Sequence, residues 1–260
     1  MELTLDGMIN ETVLSGIAPI SLSFTKIYDG YSDRPCAYRG EMELFTSDSG
    51  VMTQEAIKEL DENPLGAELF KRALRKVMRV FIDSREIETP PAYFTVKAPI
   101  ALLLEQDLYD TLKEIIKEED LKEPEKIIFE FSQNVLAKDR NVVKAGLKDI
   151  KAAGFLTAIS GFGGEDFPAT ALFDINTDMV FLNPEMTARL TDRANSGAAM
   201  NLIVFVRSMG VEVISEGVKD DDTIRQLQKA EALGIIPEKG YEGEFNFDFE
   251  KAIAETIIDN

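Results

Sequence analysis

The stretch Val211-Glu212-Val213-Ile214-Ser215-Glu216-Gly217-Val218 decides how this chain is to be read. Its β-branched run favours an extended strand, and the strand ends on a carboxylate followed by a glycine. In parallel α/β barrels the chemistry collects at the C-terminal ends of the strands, so Glu216 falls where a functional side chain belongs. Working outward from it, strand-like and helix-like segments alternate from about Ile20 to the end. That is the rhythm of a βα-repeat fold rather than of separate α and β domains.

The chain opens differently from a purely parallel barrel. Ile20 to Tyr28 and Ala37 to Phe45 flank the turn-rich Asp29-Gly30-Tyr31-Ser32-Asp33-Arg34-Pro35, which predicts an antiparallel hairpin. Helices are expected over Thr53 to Leu60 and Leu65 to Ile82, the latter with Leu65, Leu69, Ala73, Val77 and Val80 on one face. The pattern continues with a strand over Tyr93 to Ala98, a helix over Pro99 to Glu119, and a strand over Lys126 to Ser132. A helix over Lys138 to Ala153 stops at Gly154, and a strand over Phe155 to Ser160 runs into Gly161-Phe162-Gly163-Gly164. After a short strand, Met179 to Leu182, Asn183-Pro184 marks a helix start. That helix is expected to reach Met209, with a break at Ser196-Gly197. Asp220-Asp221-Asp222 caps a helix ending near Gly234, Gly234 to Pro237 forms the last strand, and a terminal helix covers Glu250 to Ile258. Residues 1–19 are expected to be an N-terminal extension and residues 20–260 one domain.

Composition narrows the function. Twenty-eight basic against 47 acidic residues give a net charge of -19, which repels a phosphate backbone and argues against a nucleic-acid partner. No histidine is present among the 260 residues, so the commonest metal ligand and the commonest general base near neutral pH are both missing. One cysteine, Cys36, excludes an intramolecular disulfide and suits a reducing, cytoplasmic setting. No stretch approaches the roughly 20 apolar residues of a membrane span.

The Ser215-Glu216-Gly217-Val218 segment, Phe162-Gly163-Gly164 and the fourth-strand Glu130 together resemble the EAL family of cyclic-di-GMP phosphodiesterases, over roughly Ile20 to Tyr241. The resemblance implies a TIM-like (β/α)8 barrel with an antiparallel first strand. It also implies a site in which carboxylates and an asparagine hold two divalent cations, magnesium or manganese, that bridge the phosphodiester and activate a water. Glu130 and Glu216 match metal-binding glutamates of the family, and Glu41 is the preferred match within Arg39-Gly40-Glu41-Met42-Glu43-Leu44, which fits Glu-Ala-Leu in more than one register. Most of the remaining positions depart. Gln133 replaces a second glutamate, Ser160-Gly161 replaces an aspartate pair, and Lys97 stands at the position of the asparagine. Asn183 falls in the segment Phe181-Leu182-Asn183, where the family has Lys-Ile-Asp, and Lys219 replaces another glutamate.

Strand alternation puts Ile128, Glu130 and Ser132 on one face and Phe129 and Phe131 on the other. If the phenylalanines pack under helices, Glu130 points into the barrel and needs a counter-charge. Lys97 on the neighbouring strand is the expected partner. The vestigial site thus comprises Glu41, Lys97, Glu130, Ser160, Gly161, Asn183 and Glu216, with no catalytic residue and no cofactor. The function expected is an inactive EAL-like module that binds a protein or a small ligand. The alternatives are a phosphodiesterase with a rebuilt magnesium or manganese site around Glu130, Glu216 and Glu41, or a metal-independent cyclic-di-GMP receptor. By analogy with the family, a homodimer is the expected oligomer.

Overall fold

The computed structural model describes residues 20–32, 34–46, 50–51, 59–164, 167, 169–238 and 241. The expected N-terminal extension, most of the expected helix at Thr53 to Leu60 and the terminal helix lie outside these residues. Strand β1 (Ile20–Tyr28) pairs antiparallel with β2 (Pro35–Thr46) along its whole length, from Ile20 opposite Leu44 to Tyr28 opposite Pro35. A two-residue strand β3 (Gly50–Val51) lies against the end of β2. From β2 onward every neighbour in the barrel wall is parallel: β4 (Tyr93–Lys97), β5 (Ile127–Phe131), β6 (Leu156–Phe162), β7 (Met179–Leu182), β8 (Glu212–Val218) and β9 (Gly234–Pro237). The antiparallel pairing of β9 with β1 closes the ring through Tyr28 and Ile235. Leaving β3 aside, the described residues form an eight-stranded closed barrel with one reversed strand, as the turn between Asp29 and Pro35 predicts.

Helices cover the outside. The long α1 (Pro64–Ser84) begins where Asn63 accepts a hydrogen bond from the Leu65 amide and Pro64 presets the first turn. The segment from Pro99 to Glu119 differs from expectation. It splits into a 3-10 turn at Ile100–Leu104 and helix α2 (Leu108–Glu118), because Glu105 adopts an extended backbone between them. Helix α3 (Arg140–Ala153) is capped by Asp139 and stopped by Gly154 at φ 110°. The expected helix from Asn183 to Met209 is likewise two helices, α4 (Pro184–Ala188) and α5 (Ser196–Ser208); the break falls at residues 189–195, just before the expected Ser196-Gly197, which instead open α5. Asp220 caps α6 (Asp221–Lys229), which ends five residues before Gly234.

Two apolar layers follow from strand alternation. Ile27, Ala37, Tyr93, Ile128, Ala158, Met179, Phe181, Ile214 and Ile236 fill the lower barrel interior. Between strands and helices, Phe129 packs on Phe70 at 5.2 Å and on Phe155 at 4.7 Å between ring centroids, and Phe131 is fully buried beside them. The phenylalanines of β5 therefore face outward and Glu130 inward, as its alternation predicts. No described helix is long and apolar enough to cross a membrane.

Candidate functional site

Above the apolar plug, the barrel interior changes character toward the C-terminal ends of the strands. Arg39 on β2 is 5% exposed and Glu130 on β5 is 1% exposed, so two opposite charges are held out of water together. The guanidinium Nε donates to Glu130 Oε2 at 2.7 Å and Nη2 donates to Glu130 Oε1. On its other edge, Nη1 and Nη2 donate to Glu216 Oε2 and Oε1 at 2.9 and 3.1 Å. One planar fork thus holds two carboxylates, each by two hydrogen bonds. Its Cζ atom also lies 4.7 Å from the centroid of the Phe181 ring. Burial works against the guanidinium charge, but Glu130 and Glu216 outweigh it and push the Arg39 pKa above its ordinary value.

The expected Lys97–Glu130 pair does not form. Lys97 and Glu130 are register partners on adjacent strands, yet the ammonium turns to Glu41 Oε1 at 2.7 Å, in a pair whose side chains are 47% and 36% exposed. The reason is the layering of the barrel. Gly40 pairs with Val96, which sets Glu41 beside Lys97 at the rim, whereas Arg39 starts one inward-facing step deeper and reaches Glu130 with a longer side chain. Glu41 is buried enough to resist ionisation, but Lys97 and then Arg39, whose Nε is 3.9 Å away, hold its pKa below the ordinary value.

Arg39 is the residue that the sequence reasoning missed as the partner of Glu130. Its signal was the alternation Ala37, Arg39, Glu41, which places an arginine on the inward face between a plug residue and the rim.

The remaining expected positions serve local structure. Ser160 Oγ donates to the Phe131 carbonyl at 3.3 Å. Gly161 sits at φ 87° in a bulge between β6 and β7, where an added Cβ would meet Gln133 Oε1 at 2.5 Å. Asn183 accepts from the Glu185 amide at 2.8 Å and so caps α4. The Phe162-Gly163-Gly164 turn offers little to an anion: the Gly164 amide already donates to the Gly161 carbonyl at 3.1 Å. Burial, and then nearby Asp29, push the Cys36 pKa up to about 12, which disfavours the thiolate.

Glu41, Lys97, Glu130 and Ser160 border a cleft of about 300 Å³ at the barrel mouth, together with Asp61, Ser132 and Asn134 and an apolar side of Met42, Leu60, Ala98 and Pro99. Asp61 accepts from the Ile100 amide at 3.0 Å and from Ser132 Oγ at 3.3 Å. Burial nevertheless raises its pKa.

The pair of divalent cations that the resemblance implies does not fit this donor set. The two carboxylates that would bind them each take two hydrogen bonds from one guanidinium, and Ser160 and Gly161 bring no carboxylate. Among the described residues, no three of aspartate, glutamate, histidine and cysteine come together as a metal-binding group.

Comparison with known proteins gives the same architecture. The EAL enzyme Bd1971, in a form with cAMP and cyclic-di-GMP bound, is similar over 97% of this chain and 68% of its own, with a TM-score of 0.77 at 14% identity. The EAL domain of FimX from Pseudomonas aeruginosa, bound to cyclic-di-GMP, is similar over 94% of this chain and 99% of its own, with a TM-score of 0.75 at 17% identity. The Klebsiella pneumoniae BlrP1 complex with manganese and cyclic-di-GMP is similar over 85% of this chain and 55% of its own, with a TM-score of 0.65 at 16% identity. No curated protein sequence matches. At these identities the structural likenesses speak for the fold alone, but the profile of the EAL domain matches residues 20–235. The chain belongs to the EAL domain family.

Proposed function

We propose that this chain is a catalytically inactive EAL domain that works in the cytoplasm as a binding or regulatory module of cyclic-di-GMP signalling. The observation that carries this reading is the Arg39 fork. Phosphodiester hydrolysis of the kind the family performs needs cations to bridge the phosphate and lower the pKa of the attacking water, and Glu130 and Glu216 already neutralise an arginine. No histidine is available as a substitute base. The cleft beside this triad supports a retained binding role: it is open at the rim and carries the half-exposed Lys97. The FimX EAL domain is solved bound to cyclic-di-GMP and the EAL enzyme Bd1971 in a form with cAMP and cyclic-di-GMP bound, which makes cyclic-di-GMP the first ligand to try.

The test is to titrate the pure protein with cyclic-di-GMP in magnesium or manganese, following heat and linear product together. No product is expected. Heat without product identifies a nucleotide receptor, and silence in both directs the search to a protein partner. Linear product that disappears with Glu130→Gln overturns the inactive reading.

A further inference from the structure

Arg39 is held between carboxylates from two strands that are far apart in sequence. Glu130 from β5 and Glu216 from β8 approach one guanidinium, and Nη2 is shared between an oxygen of each. The two carboxylates are therefore close enough for a divalent ion, whose oxygen ligands lie at about 2.0–2.6 Å, to draw them together with a small side-chain shift. The strand register adds a third oxygen on the same inward face. Thr95 is in register with Arg39 on the inward face of β4, its side chain is fully buried, and its Oγ1 has no hydrogen-bond partner among the described residues. A buried hydroxyl with no partner is uncommon and costs stability wherever it persists. The charge balance is consistent too: one guanidinium faces two carboxylates, so a divalent ion in its place would leave no net charge.

We infer that Arg39 is a built-in counter-ion standing where a divalent cation would sit, and that removing this one side chain opens a divalent-cation site formed by Glu130, Glu216 and the Thr95 hydroxyl. The inference rests on the inactive reading above and deepens it. Metal is kept out because the position is filled, and not only because Ser160 and Gly161 on β6 bring no carboxylate. The ligand class is a hard cation such as magnesium or manganese, which takes oxygen donors.

The experiment compares the melting temperature of the native chain and of Arg39→Ala in chelator and in millimolar manganese, with calorimetric titration of manganese into both. The native chain is expected to melt at the same temperature in both solutions. Arg39→Ala is expected to melt on the order of 10 °C lower in chelator, to regain at least half of that loss in manganese, and to bind the ion in the titration. Adding Glu216→Gln to Arg39→Ala should abolish the regain. Should Arg39→Ala fail to fold in chelator, recovery of folded protein in manganese becomes the readout, with Arg39→Gln as the second variant.

Three results overturn the inference: a folded Arg39→Ala indifferent to manganese, failure of both variants to fold with or without the ion, or native protein that binds manganese in a way lost on Glu130→Gln. Linear product from the native chain would instead remove the inactive reading. A manganese-indifferent Arg39→Ala leaves that reading in place, so the two failures are distinct.

Discussion

At the scale of single residues, the barrel mouth separates two kinds of ion pair. The buried Arg39 fork is of the type whose breakage costs about 3–5 kcal/mol, because each partner left behind is an uncompensated charge. The rim pair of Lys97 and Glu41 is water-exposed on both sides and contributes about 0–1 kcal/mol. Acid should separate the carboxylates further. Glu41 has its pKa lowered in the fold from an ordinary 4.5, so its stabilisation is complete above that value and disappears as pH falls through the depressed one. Asp61 has its pKa raised from 3.8 by burial, so its contribution is complete below that value and disappears as pH rises through the raised one. The fall in urea midpoint between pH 6 and pH 3 should therefore shrink in Glu41→Gln and grow in Asp61→Asn. Equal responses of the two variants would contradict both assignments.

At the scale of elements, the sequence was legible wherever one local rule decides the outcome. The alternation in Ile127–Phe131 placed Glu130 inward, Asn183-Pro184 marked a helix start, and the β-branched run before Ser-Glu-Gly-Val marked a strand, which continues through Gly217 to Val218. What stayed hidden depended on strands far apart in sequence. Lys97 has a carboxylate on each side, and only the stagger of β2 against β4 decides that it takes Glu41 while Arg39 takes Glu130. The split of the Pro99 to Glu119 helix was hidden for a related reason, since the Asp61 side chain accepts from the Ile100 amide and anchors a tight turn there. Gly217 gives the element-scale prediction. It holds φ 74° at a bulge between β8 and β9, and an added Cβ would meet Pro184 Cβ at 2.8 Å. Gly217→Ala should combine left-handed backbone strain with overpacking, about 2–4 kcal/mol in all. That would lower the melting temperature by about 10 °C, whereas Gly197→Ala, with nothing within 4 Å, should leave it nearly unchanged.

At the scale of the whole molecule, the reversed first strand sets where the barrel is weakest. Among the described residues, β1 is paired with β2 along nine positions, but with β9 at the single register pair Tyr28 and Ile235. The β1–β9 seam is supported by the side-chain amide of Gln228 donating to the Gly30 carbonyl and by the packing of Ile27 against Gly234, not by a continuous ladder. By contrast, β4 to β8 form an unbroken parallel run under the phenylalanine layer. Local opening follows the distribution of buried contacts and paired backbone groups, so the barrel should part at this seam first. Hydrogen exchange read by mass spectrometry tests this directly. Peptides from β5, β6 and β8 should exchange with the free energy of global unfolding, while those from β9 should exchange through a cheaper opening. Gln228→Ala should accelerate β9 without changing β5. Uniform protection of all eight barrel strands would show that the β1–β2 hairpin closes the barrel as firmly as a full ladder does, and that the seam is held by side-chain packing rather than by its single backbone pair.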